Sequence, residues 1–269
     1  MVQAIVPRDL DVDFSQVPRH WMAGSAVATA ISNGVNMLFP HGERFFVRSV
    51  KYFLDKVDDP VLRGQVKGFF GQEGRHAHAH DEFNAIMRSQ GYEIDQFLES
   101  YKRLSDWLEK RTPPKIRLAA TAAAEHFTAI MAEGAFTRGA LDAAAPEMQR
   151  LLGWHAAEEI EHKSVAFDVL QTIDPSYLLR ITGLLYATVT LGGFWIWGAL
   201  TLMKQDGVTW KSARAEMNQL RRHDPIVRRV FVRGIKQYLK RDFHPTDNED
   251  AELAASWFAA RGISMPEAA

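Results

Sequence analysis

The chain has 269 residues, 46% of them hydrophobic and 24% charged, with 32 Lys+Arg against 33 Asp+Glu. That length suffices for one large domain with a substantial core. The absence of cysteine excludes disulfides, thiol nucleophiles, iron–sulfur clusters and thiolate zinc sites, so any metal must be held by His, Asp or Glu. The formal net charge of -1 argues against nucleic-acid binding.

The first 21 residues lack the basic start and apolar run of a secretory signal, and with no cysteine the expected compartment is cytoplasmic. Residues 1–39 read as an N-terminal arm and helix. From Pro40 onward, proline and glycine cut the chain into helices. The spacing predicts helices over Pro40–Val57, Pro60–Gln90, Tyr92–Arg111 and Lys115–Leu141, then one from Pro146 to the Asp174-Pro175 pair. No alternating strand pattern competes, so the expected class is all-α. Ile181–Met203 then runs 23 residues without a charge, between Arg180 and Lys204. It is long enough to cross a bilayer core, but only moderately apolar, so a buried helix is the alternative. Residues 175–205 are taken as this apolar helix and 206–269 as a basic helical tail. Lys211 to Arg241 carries ten Lys/Arg against Glu216 and Asp224. There Ile226, Val230, Phe231, Ile235 and Leu239 recur on one side, with Arg228, Arg229, Arg233, Lys236 and Lys240 between them. Such a helix suits an anionic membrane surface, or else packs on the domain with its cations in water.

The chemistry concentrates in residues 40–174. Glu73 and His76 are three apart on the second predicted helix, and Glu159 and His162 repeat that spacing on the fifth. Glu43 lies on the helix before the first pair and Glu125 on the helix before the second. Glu … Glu-x-x-His … Glu … Glu-x-x-His is the ligand order of ferritin-like dimetal carboxylate bundles. Four carboxylates and two imidazoles would neutralise two divalent cations, and this O/N set suits iron or manganese, including a mixed pair. The register on the fifth helix stays open, because Glu158, Glu159 and Glu161 all precede His162. Glu159 matches the three-residue spacing, and Glu158 is a candidate for supporting the ligands. His155, four before Glu159, is either a third imidazole ligand or a core histidine. His80 is expected to hydrogen-bond behind a ligand, His78 to point away and His126 to face elsewhere. Thr121, Ala122, Thr128, Ala129 and Ala132 would leave volume beside the metals or pack closely. Phe69, Phe70 and Phe83 would line a channel or fill the core.

The segments FPHGERFF, QEGRHAHAH and WHAAEEIEHKSVAFDV resemble a bacterial, ferritin-like family commonly labelled predicted metal-dependent hydrolase. The resemblance covers about Trp21 to Asp174, or else the whole chain. The His-x-x-x-Glu-x-x-His element also resembles the di-iron arylamine N-oxygenases, which add a third histidine to six ligands. That second resemblance implies Glu43, Glu73, His76, Glu125, His155, Glu159 and His162 as metal ligands. The apolar stretch after Asp174 departs from the N-oxygenase pattern.

The function expected first is a non-haem di-iron oxidoreductase. It would use O₂ to hydroxylate, N-oxygenate or desaturate an apolar or amphipathic small molecule. A ferredoxin or flavoprotein reductase would supply electrons. The alternative is a metal-dependent hydrolase with a metal-bridged hydroxide, and iron storage is a weaker third. A homodimer and contact with the inner face of a membrane are further expectations.

Overall fold

A computed structural model describes residues 5–223 and 226–263; the side chains of 219–223 and 226–231 lie outside the described set. The chain is all-helical, and no strand occurs among the described residues beyond an isolated antiparallel bridge between Met22 and Ala144. The helices are α1 (Ala26–Asn36), α2 (Phe39–Lys51), α3 (Pro60–Ser89), α4 (Asp95–Arg111), α5 (Pro114–Thr137), α6 (Pro146–His162), α7 (Val165–Ile173), α8 (Tyr177–Gln205), α9 (Trp210–His223), α10 (Ile226–Tyr238) and α11 (Ala251–Ala259).

Their starts follow local chemistry. Prolines occupy the first turns of α2, α3, α5 and α6, where a missing N–H costs nothing. Asp59 caps α3 by accepting from Val61 N, and Ser176 caps α8 by accepting from Leu179 N. α3 stops at Gly91, whose φ of 87° closes the turn at no steric cost.

Three helix ends and one break differ from the sequence expectation. α2 stops at Lys51, with a separate turn at Leu54–Lys56; α4 starts at Asp95; and α5 stops at Thr137. The fifth predicted helix is two, because α6 ends at His162 and α7 begins at Val165. At the break, the buried Lys163 donates to Asn248 O and pairs with Asp250. That contact ties the site-bearing end of α6 to the segment before α11.

Two apolar clusters flank the interior. One gathers Trp21, Phe83, Phe97 and Trp154. The other gathers Phe45, Phe46, Phe69, Phe127 and Phe167. Phe69 and Phe83 are therefore core, and of Thr121, Ala122, Thr128, Ala129 and Ala132 only Thr128 faces the large cavity described below.

The apolar run lies in α8, which packs along α1 and α5. A Cβ at Gly183 would collide with the α5 backbone at Ala119, so this crossing requires glycine. Arg180, Gly183, Leu184, Ala187, Gly198, Ala199 and Leu202 form the buried face, and the opposite face is exposed. In the basic tail, Ile226, Arg228, Arg229, Val230 and Phe231 lie outside the described side chains. Ile235 faces the cavity, Arg233 pairs with Glu133 at 3.0 Å, and Leu239 is exposed.

Candidate metal centre

Glu43 on α2, Glu73 and His76 on α3, Glu125 on α5, and His155, Glu159 and His162 on α6 are all buried and converge on one place. Helical geometry accounts for the pairing: residues three or four apart share a face, so α3 and α6 each turn theirs inward. His162 Nε2 lies 3.1 Å from Glu73 Oε1, 3.2 Å from Glu125 Oε2 and 3.5 Å from Glu159 Oε2. His155 Nε2 lies 2.8 Å from Glu159 Oε1 and 3.6 Å from Glu43 Oε1. His76 Nδ1 faces the same Glu159 oxygen at 3.8 Å. Two groupings with the spacing of a metal site result: Glu73, Glu125 and His162, and His76, His155 and Glu159. A third, Glu43, His80 and His155, overlaps the second.

Electrostatics sharpen this geometry. Burial and mutual repulsion hold the Glu43 and Glu125 carboxyls well above the usual carboxylate range, and burial raises Glu73 despite His162. Burial also opposes ionisation of Glu159, but His162 and His155 outweigh it and hold this acid well below the usual range. His162 is raised well above an ordinary imidazole, against its burial, by Glu159, Glu125 and Glu73. Burial and the neighbouring His155 hold His76 and His80 well below theirs. Both oxygens of Glu43, Glu73 and Glu125, together with Glu159 Oε2, His76 Nδ1 and His162 Nε2, are buried without a hydrogen-bond partner among the described residues. Buried polar atoms are ordinarily paired, so a set of orphans aimed at one another fits cations between them.

Each histidine is oriented from behind through its other ring nitrogen. His76 Nε2 meets Glu158 Oε2 at 2.9 Å. His162 Nδ1 meets Gln72 Oε1 at 2.8 Å. His155 Nδ1 meets His80 Nε2 at 2.6 Å, and His80 Nδ1 meets Asn36 Oδ1 at 2.6 Å. Glu158 and His80 thus stand behind two histidines. Burial pushes the Glu158 carboxyl up to about 8 against the pull of Arg8. His126 turns away, to Gly234 O at 2.9 Å, and His78 points into solvent.

Sequence reasoning missed Gln72, Arg8, Asn36 and the role of Glu161. Gln72 Nε2 donates to Glu161 Oε2 at 2.8 Å, and Arg8 bonds both Glu158 and Glu161. Arg8 belongs to an N-terminal arm laid along α3, where a Cβ at Gly71 would run into the Pro7 ring and one at Gly68 into Ile5. Those two glycines are the only local signal for the arm's seat.

A cavity of about 1040 Å³ reaches Glu43 from outside. That is near the upper end of small-molecule sites, roughly 300–1,000 Å³. Phe39, Ala124, Thr128, Leu191, Trp195 and Met203 contribute to its predominantly apolar wall.

The match to a known family runs over residues 6–249, nearly the whole chain and not the bundle alone. The chain belongs to the family described as predicted metal-dependent hydrolase. That description agrees with the hydrolytic alternative of the sequence reading better than with oxygen activation, for which the comparisons offer nothing. No curated protein and no solved structure is a match.

Proposed function

We propose that this chain is a dinuclear metal-dependent hydrolase acting on an apolar or amphipathic ester. The supporting observation is the cluster of orphaned, mutually facing carboxylate and imidazole atoms, one of whose members, Glu43, lines the apolar cavity. Glu43, Glu73, His76, Glu125, His155, Glu159 and His162 would hold two cations on α2, α3, α5 and α6, a ferritin-like arrangement. Two bound divalent cations would supply a water ionised near neutral pH and polarise the carbonyl it attacks. Water then adds across the acyl–oxygen bond, leaving an acid and an alcohol.

The protein's own part is threefold. The four carboxylates balance the charge of two divalent cations in a buried place. Glu158, Gln72 and His80 fix the imidazole rings, which sets the direction of each donor nitrogen. The predominantly apolar cavity wall selects for apolar chain.

The test is turnover of p-nitrophenyl esters of graded acyl length by metal-loaded protein, in air and anaerobically. Metal-dependent hydrolysis that favours longer chains and ignores O₂ is expected. Turnover only with O₂ and a reductant would replace this reading with the second one.

That second reading is an O₂-dependent oxidoreductase with two iron ions, or manganese, fed by a ferredoxin or flavoprotein reductase. The third imidazole supports it: His155 Nε2 faces both Glu43 and Glu159, giving a seven-residue set of hard donors.

A further inference from the structure

We infer that the outward face of α8 rests on an anionic membrane surface, with the mouth of the cavity opening beside it. Leu178, Leu185, Val189, Ile196 and Leu200 are each between 46% and 75% exposed. At about 100° per residue they fall within an arc of roughly 60°, one continuous apolar stripe along a 29-residue helix. The opposite side of α8, with Arg180 and Gly183, is packed on the body of the protein. Lipid therefore cannot surround this helix as it surrounds a spanning segment, and a helix lying in the interface plane fits instead. A stripe of large apolar residues in water marks an interaction surface.

Charge identifies the occupant. Beyond one end of the stripe lie the exposed cations Lys204, Lys211 and Arg214. At the other end Tyr177 Oη donates to Leu239 O, and Arg241 lies over the Tyr177 ring, which brings exposed Lys240 and Arg241 beside Leu178. Asp242 offsets one of these. Asp206 is paired with Arg19, and Glu216, bonded by Ser25, offsets one of the cations at its end. A second copy docked face to face would bring cations of the two chains together, whereas anionic headgroups complement both ends at once. Trp210, 85% exposed, is placed as an interfacial anchor. Ile196, Leu200 and Trp210 also line the cavity, so the stripe and the opening are one surface. An amphiphile could then pass from the lipid phase toward Glu43 without crossing water.

This inference does not depend on the reaction catalysed, and its test reads no turnover. Metal-loaded full-length protein is floated with vesicles of phosphatidylcholine alone, or of phosphatidylcholine with phosphatidylglycerol. Flotation with the anionic vesicles, falling as salt rises, is expected. The L185Q/V189Q/I196Q variant should lose it while keeping wild-type melting and metal content, since all three positions are exposed. K211E/R214E should weaken binding by about tenfold or more. The inference is overturned if wild type never floats, or if the triple variant floats as wild type does. It is equally overturned if light scattering shows a dimer that the triple variant dissociates.

Discussion

Arg8 and Glu161 form a two-pronged ion pair, with Nη1 2.6 Å from Oε2 and Nη2 2.8 Å from Oε1. The same guanidinium reaches Glu158 Oε1 at 3.2 Å. Through Glu158 it stands behind His76, and through Glu161 and Gln72 behind His162. One residue of the N-terminal arm therefore braces the donors of both helices that carry a Glu-x-x-His pair. Removing such support typically costs ten- to a hundredfold in metal affinity. Arg8→Ala should weaken metal binding by about that much. Arg8→Lys should recover only part, because an ammonium cannot span both carboxylates as a planar fork does. Metal titration of the purified variants decides it, and wild-type affinity in Arg8→Ala would remove the arm from the site.

The ligand set itself is separable from folding. In the metal-free protein, Glu125 is a buried acid repelled by Glu73 and Glu159. Glu125→Gln should lower bound metal and raise the melting temperature of the metal-free protein near neutral pH, because an amide is neutral without the proton that the raised Glu125 carboxyl must take up on folding. Glu73→Ala and His162→Ala should lose most metal, whereas His126→Ala, aimed at Gly234 O, should keep it. His155→Ala distinguishes two roles: weakened metal binding fits a ligand, and unchanged stoichiometry and spectra would make it structural. Elemental analysis beside thermal melting reads all of these.

The legible and illegible parts of this site differ in range. Glu73 with His76, and Glu159 with His162, are visible in sequence because an α-helix converts a three-residue spacing into a shared face. His155 follows by one further turn. Arg8 meets Glu161 only because the arm lies on α3, and nothing local to Arg8 encodes that; the cause sits at Gly68 and Gly71. Asn36 and Gln72 are single polar residues, and helical spacing by itself assigns neither a partner. The α6–α7 break is hidden for a similar reason. No proline or glycine stands at Lys163-Ser164, and the contact that accompanies it is Lys163 reaching Asn248 and Asp250, more than 80 residues on. Length and composition of α8 were plain, but not which side faces out, because that depends on the close crossing at Gly183.

Stability of the metal-free protein should fall as pH rises above neutrality. Glu43, Glu73 and Glu125 have raised carboxyls, Glu158 titrates at about 8, and His162 is raised above an ordinary imidazole. Between about pH 7 and 8 the folded chain thus holds protons on Glu158 and His162 that the unfolded chain has released, and each such proton tilts stability downward by up to about 1.4 kcal/mol per pH unit. The histidines held low, His41, His76, His80 and His126, oppose the trend only while their unfolded imidazoles finish releasing protons just above about pH 6.5, so the fall is clearest from about pH 7.5 upward. Metal-loaded protein should show a flatter profile, since cations replace the protons, and metal uptake should release protons. Melting curves of chelator-treated and reloaded protein across pH 6.5–8.5 test this. A metal-free protein that gains stability over that range would contradict it.

Gly192 tests the cavity without touching the metal donors. It sits inside α8, lines the cavity, and has no atom within 4 Å of where a Cβ would be. Gly192→Ala should stabilise the protein by up to about 1 kcal/mol, the usual helix-interior difference between the two residues. Gly192→Trp should also fold, since the space is open, but its indole would narrow the path toward Glu43. KM for long-chain esters should then rise several-fold while short-chain esters and metal content stay unchanged. If long and short substrates suffer equally, or neither does, the apolar chain does not travel along α8 and substrate reaches the carboxylates by another route.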